Sequence, residues 1–174
     1  MIRLVLSSLL LFFLLAGCGG QKKEQKLTSK KVVLDNIEML YGQITKEQLY
    51  FDYPEWLITE KEYMPDSSII TKLQELPGKY TVEIFFGTWC GDSEREVPHF
   101  FKIHERARLK NKLSYKLYAV NRKLKLDNDL TEKRKIERVA TFIFYKDGNE
   151  VGRIVETPND LLENDILQIL SKGK

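Results

Sequence analysis

Residues 80 to 86 read Tyr-Thr-Val-Glu-Ile-Phe-Phe, and the chain then runs through Gly87, Thr88 and Trp89 to Cys90 before a stretch with helical periodicity begins. A run this rich in β-favouring and apolar residues suits a central strand covered on both faces, which demands packed layers above and below it. The following stretch, from near Gly91 to about Lys110, carries Val97, Phe100, Phe101, His104 and Ala107 at three-and-four spacing, so one side of a helix faces that strand. Asp92, Ser93, Glu94 and Glu96 crowd its first turn, where side-chain acceptors and negative charge suit the unpaired amides. A buried strand feeding an inward-facing helix restricts the chain to an α/β arrangement.

The flanking segments complete that plan. Asp66 is placed to cap a helix over 67 to 76, whose Ile69, Ile70, Leu73 and Leu76 share a face and which Pro77-Gly78 ends. Ser114 to Asn121 reads as a second strand, followed by the charged loop "RKLKLDNDLTEKRK". Residues 139 to 145 and 150 to 156 form a third and fourth strand around an Asp147-Gly148 turn. Thr157-Pro158 opens a last helix striped by Leu162, Ile166, Ile169 and Leu170. Ahead of these, Thr45 and Gln48 stand at capping-box spacing, and Pro54 and Pro65 break residues 32 to 65 into short helical turns. The expectation is an α/β fold of three layers, a mixed four- to five-stranded sheet with helices on both faces. With 174 residues, 43% of them hydrophobic, the chain suffices for one such domain plus extensions.

The first 17 residues are a different kind of segment. Arg3 precedes an apolar stretch from Leu4 to Ala16, too short for a membrane span of about 20 residues but built like a secretory signal peptide. Its exit, Leu15-Ala16-Gly17-Cys18, resembles the lipobox of bacterial lipoproteins. That resemblance implies cleavage before Cys18 and lipid on Cys18; glycine with charged residues cannot bury enough surface to order itself, so 18 to 31 reads as a flexible tether, followed by an extension over 32 to 65 and a folded domain over 66 to 174. The alternatives are an ordinary signal peptide or a buried helix that ends near Cys18. The lipoprotein reading implies a protein anchored in a bacterial cell envelope, facing the periplasm or exterior. A net charge of +3, dispersed among acids, gives no reason to expect nucleic acid.

Only two cysteines occur, Cys18 and Cys90. With Cys18 lipidated, Cys90 is the one free thiol of the mature chain, kept either as an inert buried residue or for chemistry between molecules. At the start of a helix its sulfur meets unpaired amides and the positive end of the dipole, which favours the nucleophilic thiolate. Ser93 is placed to donate a further hydrogen bond to that sulfur. Asp92 opposes the anion, with Arg95 or Arg138 available to offset it. His99 and His104 read as helix-face residues, and the set offers no convincing metal site, so no cofactor is expected.

The strand, Trp89-Cys90-Gly91-Asp92-Ser93, Pro98 inside the helix and "VATFIFYKDGNEVGRIV" together resemble the thioredoxin family over roughly residues 66 to 172. Its usual motif is Trp-Cys-Gly-Pro-Cys, with a helix proline five residues after the second cysteine; Pro98 lies five after Ser93. The resemblance implies a thioredoxin-like fold, Cys90 and Ser93 as catalytic residues, and Trp89, Gly91, Asp92, Val139, Ala140 and Thr141 as the substrate groove. Ser93 stands where the family has its resolving cysteine, and a hydroxyl cannot displace a mixed disulfide, so monothiol exchange is expected over net dithiol reduction. The family's cis-proline loop reads Val139-Ala140-Thr141 here, and a cis bond before alanine costs about 3 to 4 kcal/mol, so a trans peptide is expected. The buried acid that many members carry before the motif falls at Ile84, with Glu83 on the opposite face.

Two functions compete: a lipid-anchored thiol–disulfide exchange protein acting through Cys90 on envelope proteins or small thiols, and a redox-inactive thioredoxin-fold binding module.

Overall fold

The computed structural model describes residues 30–34 and 36–172. Cys18 and the signal-like segment lie outside the described residues. The elements run β1 (Lys30–Leu34), β2 (Ile37–Ile44), α1 (Lys46–Asp52), α2 (Glu55–Glu62), α3 (Ser67–Glu75), β3 (Tyr80–Phe86), α4 (Gly91–Arg106), a 3-10 turn (Leu109–Asn111), β4 (Leu113–Ala119), α5 (Leu130–Lys133), β5 (Thr141–Lys146), β6 (Asn149–Val155) and α6 (Leu162–Lys172).

All six strands form one mixed sheet in the order β1-β2-β4-β3-β5-β6, in which β3 and β4 are parallel and every other pair is antiparallel. Alternation along β3 divides the core. Val82, Ile84 and Phe86 join Trp56, Leu73, Val97, Phe100, Phe101, Phe142, Ile166 and Leu170 beneath the larger helices. Phe85 points the other way, packing with Tyr118, Val120, Ile136, Val139 and Ile143 and with Leu130 of the short α5. Helical structure on both faces gives the three-layer α/β fold expected from the chain.

Caps set several boundaries where the residues indicated. The Thr45 hydroxyl accepts from the Gln48 amide, and the Asp66 carboxylate accepts from the Ser68 and Ile69 amides at 2.7 and 3.1 Å. Other boundaries differ. α4 ends at Arg106, short of Lys110, because the chain turns through left-handed Arg108 into the 3-10 segment. The last helix begins at Leu162, not at Thr157-Pro158; the Asp165 carboxylate, buried beside that start, accepts from the Asn159 amide and side chain and holds the incoming chain in an irregular turn.

The sheet has six strands where four to five were expected. The two additional ones, β1 and β2, form a hairpin through Asn36, whose φ is +61°, and β2 then pairs with β4. The hairpin draws on residues assigned to the tether and extension, with β1 starting at Lys30. Its strand signal was hidden because β2 does not alternate: Met39 and Leu40 are both buried and both neighbours of that pair are not.

His104 on α4 shows how burial couples the fold to pH. Its Nε2 lies 2.8 Å from the Leu113 carbonyl, and burial, helped by Lys46, lowers its pKa from the ordinary 6.5. A histidine with a depressed folded pKa stabilises fully above about 6.5, and that contribution is lost as pH falls below it, because the unfolded chain takes up the proton first. Urea unfolding of His104→Gln between pH 7 and 5 is expected to lose less stability than the unmodified protein, by a few tenths to about 1 kcal/mol.

Candidate functional site

Cys90 is the N-cap residue of α4, with extended backbone, and its carbonyl accepts the first helical bond from the Glu94 amide at 3.0 Å. The position follows from the sequence: Gly87 ends β3, the Cys90 amide folds back to the Gly87 carbonyl at 3.0 Å, and the acidic first turn then starts the helix. Cys90 is partly exposed and packs at the edge of the smaller core. Its thiol donates to the Val139 carbonyl at 3.2 Å, which joins the motif to the loop before β5.

That loop differs from expectation. The Val139–Ala140 peptide is cis, not trans. The isolated-peptide preference is outweighed by what holds the segment on each side: the Thr141 hydroxyl donates to the Arg138 carbonyl at 2.7 Å, the Glu156 amide donates to the Ala140 carbonyl at 2.7 Å, and Val139, Ala140 and Thr141 are all buried. The loop meets Cys90 through a carbonyl, an acceptor, at the place assigned to the groove.

Ser93 also has a different partner. It is fully buried, and its hydroxyl accepts from the Gly87 amide at 3.2 Å in place of the expected bond to the Cys90 sulfur. The helical rise puts Ser93 under the motif loop, where the amide released at the end of β3 needs an acceptor. Asp92 is neutralised locally by Arg95, which reaches it at 2.8 Å and the buried Glu96 at 2.7 Å. Arg138 is directed elsewhere, to Glu156 at 2.7 Å. Gly91 is exposed, with open space where a Cβ would project.

Trp89 is held firmly. Its indole N–H donates to the Val120 carbonyl at 3.0 Å, and the Arg122 guanidinium lies over its ring, 5.4 Å from the centroid. Gly87 makes room for it, since a Cβ there would come within 2.5 Å of the indole. Gly87→Ala is therefore expected to eject the ring, shift Trp89 emission to the red and cost about 1 to 3 kcal/mol in urea unfolding. The N-terminal hairpin touches the same loop, as the Leu40 amide donates to the Thr88 hydroxyl at 3.2 Å.

Glu83 faces away from Ile84, as its place in the strand requires, and is buried with its charge matched. Arg134 grips it at 2.6 and 3.2 Å, and the Tyr145 hydroxyl donates to it at 3.1 Å. Burial beside Glu83 raises the Tyr145 pKa, keeping that hydroxyl a donor. This triad went unseen in the sequence, because Arg134 and Tyr145 lie 51 and 62 residues away. His99 and His104 are helix-face residues in aromatic company: His99 stacks on Tyr63 at 3.7 Å, and His104 lies edge-on to Tyr115.

Comparison with known proteins agrees with this geometry. The family model described as thioredoxin matches residues 45–167, which include the motif, the loop before β5 and most of α6. Among curated proteins, thioredoxin H9 of Arabidopsis thaliana is 29% identical over 116 residues, 66% of this chain and 74% of that protein. The thioredoxin of Coprinus comatus is 30% identical over 96 residues, 54% and 84% respectively. A solved structure from Pseudomonas aeruginosa, described as a protein of unknown function, superposes with a TM-score of 0.51 at 17% identity, covering 74% of this chain and 84% of that one. With the strand, the cysteine at the head of α4 and the facing loop before β5 all present, and the match spanning well over half its length, this chain belongs to the thioredoxin family.

Proposed function

We propose that this protein performs monothiol thiol–disulfide exchange through Cys90, as a lipoprotein held in a bacterial envelope by lipid on Cys18. The observation that carries the reading is the placement of Cys90: partly exposed at the N-terminus of a 16-residue helix, its sulfur against the carbonyl of Val139, with no second cysteine among the described residues. The thiolate of Cys90 attacks one sulfur of a partner's disulfide. A new S–S bond forms, the old one breaks, and the departing sulfur leaves with the electron pair and takes up a proton from solvent. Release then needs a thiol from the substrate, a small thiol or another protein, since the Ser93 hydroxyl cannot displace the sulfur. In this reading a substrate approaches beside Trp89, Gly91 and Asp92, and the buried segment Val139, Ala140 and Thr141 backs the sulfur through the Val139 carbonyl.

A redox-inactive binding module is the second reading, favoured by the fixed geometry of Trp89 and by the bond between the Cys90 thiol and Val139. The two readings part on one measurement: mass spectrometry of proteins covalently held by Cys90 in cells. Specific disulfide-linked partners, absent after Cys90→Ser, support exchange; an empty Cys90 with undiminished non-covalent binding overturns it.

A further inference from the structure

Arg122 follows β4 in a loop that is unusually well fixed for an exposed segment. The Asn121 side-chain oxygen accepts from the amides of Lys123 and Lys125 at 2.9 and 3.0 Å, and the Leu124 amide donates to the Asn121 carbonyl at 2.9 Å. These bonds set the loop around Arg122, and the Arg122 guanidinium lies across the Trp89 ring, which Val120 in turn anchors. Trp89 is the neighbour of Cys90, so a delocalised cation lies over the ring beside the nucleophile.

Several charges of neighbouring segments are matched. Lys125 pairs with Glu132, whose carboxyl it holds down to about 2; Arg95 pairs with Asp92 and Glu96; Arg138 pairs with Glu156. Among the described residues no carboxylate lies within ion-pair distance of Arg122, whose guanidinium meets the indole face. Arg122 is exposed, and a guanidinium over an aromatic face still has N–H groups in the fork that fits a carboxylate. Lys123 adds a second exposed cation beside it.

We propose that Arg122 is a specificity-determining residue that receives a carboxylate flanking the substrate's disulfide, so that Cys90 preferentially attacks disulfides set in acidic peptide segments. The proposal rests on the exchange reading of Cys90 and adds the substrate class. Arg122 takes no part in the bond changes. It raises the encounter rate and orients the acidic flank as the Cys90 sulfur forms its bond and the substrate's leaving thiolate departs.

The test uses synthetic peptide disulfides that differ only in the residue beside each cysteine, Glu, Gln or Lys, with glutathione disulfide as a small carboxylate-bearing probe. Rate constants for covalent attachment to Cys90 are measured with the unmodified protein, Arg122→Gln, Arg122→Glu and Arg122→Lys. The expected result is a Glu-over-Lys preference that falls about five- to tenfold in Arg122→Gln, inverts in Arg122→Glu, largely survives in Arg122→Lys and shrinks as salt rises. The Gln peptide serves as the reference rate for each variant: a loosened fold moves all three peptides together, whereas lost recognition moves the Glu-to-Gln and Lys-to-Gln ratios. Loss of preference toward the peptide alone assigns the carboxylate to a peptide flank, and loss toward glutathione disulfide as well extends recognition to any nearby carboxylate; both support the proposal. Equal rates for Glu and Lys peptides in the unmodified protein, or a preference indifferent to residue 122, overturn it while leaving exchange intact. No attachment of any probe overturns the exchange reading and this proposal with it.

Discussion

Replacing Cys90 by serine is expected to reduce covalent reaction with disulfides and alkylating probes to the rate of the buffer blank, in a Cys18→Ser background where Cys90 is the one thiol left. The thiolate is the nucleophile, and a hydroxyl of ordinary acidity presents no comparable anion. The substitution is clean for a structural reason. Serine is a favoured N-cap residue, and its hydroxyl can still donate to the Val139 carbonyl that now accepts from the thiol. Stability in urea should therefore change by no more than about 0.5 kcal/mol. A chemically dead variant that remains folded then separates the two functional readings in cells. Loss of cellular activity supports exchange, whereas full activity assigns the fold to binding alone.

Ser93→Cys carries the second large effect. A thiolate introduced there can attack the Cys90 sulfur of a mixed disulfide, close an intramolecular disulfide between positions 90 and 93 and expel the captured thiol, leaving the protein oxidised by two electrons and the substrate reduced. With dithiothreitol to regenerate the dithiol, insulin reduction is expected to rise at least about tenfold over the unmodified protein, and trapped partners to be lost. The position imposes a condition, because Ser93 is fully buried and its oxygen accepts from the Gly87 amide. Ser93→Ala measures that bond by itself: the orphaned amide is expected to cost about 1 to 3 kcal/mol. If Ser93→Cys folds yet leaves the mixed disulfide long-lived, the obstacle is the approach of residue 93 to the sulfur, and not only the absence of a second thiol.

Both predictions concern residues found by their place in a local pattern, and that marks how far the chain could be read. Strand β3, helix α4, the cap at Asp66, the turn at Asp147-Gly148 and the cysteine at a helix start all depend on neighbours a few residues apart. Their periodicity and capping chemistry are therefore written in short stretches. The family resemblance rested on the same local features and held over residues 45–167, beginning well before the expected residue 66. The early start has a physical counterpart in α1 and α2, whose Leu49 and Trp56 enter the main core.

What the chain alone determined was therefore the order of strands β3 to β6 with the main helices around them and the residue at the head of α4, since hydrophobic period and capping act over one or two turns. Tertiary structure decided the rest. It chose the β1–β2 hairpin as part of the sheet through pairing of β2 with β4, the buried acceptor role of Ser93, the isomer of the Val139–Ala140 peptide and the placement of Arg122 over Trp89. Each of these pairs groups distant in sequence or selects between local conformers, so their outcome depends on which desolvated donors and acceptors the packed sheet brings together.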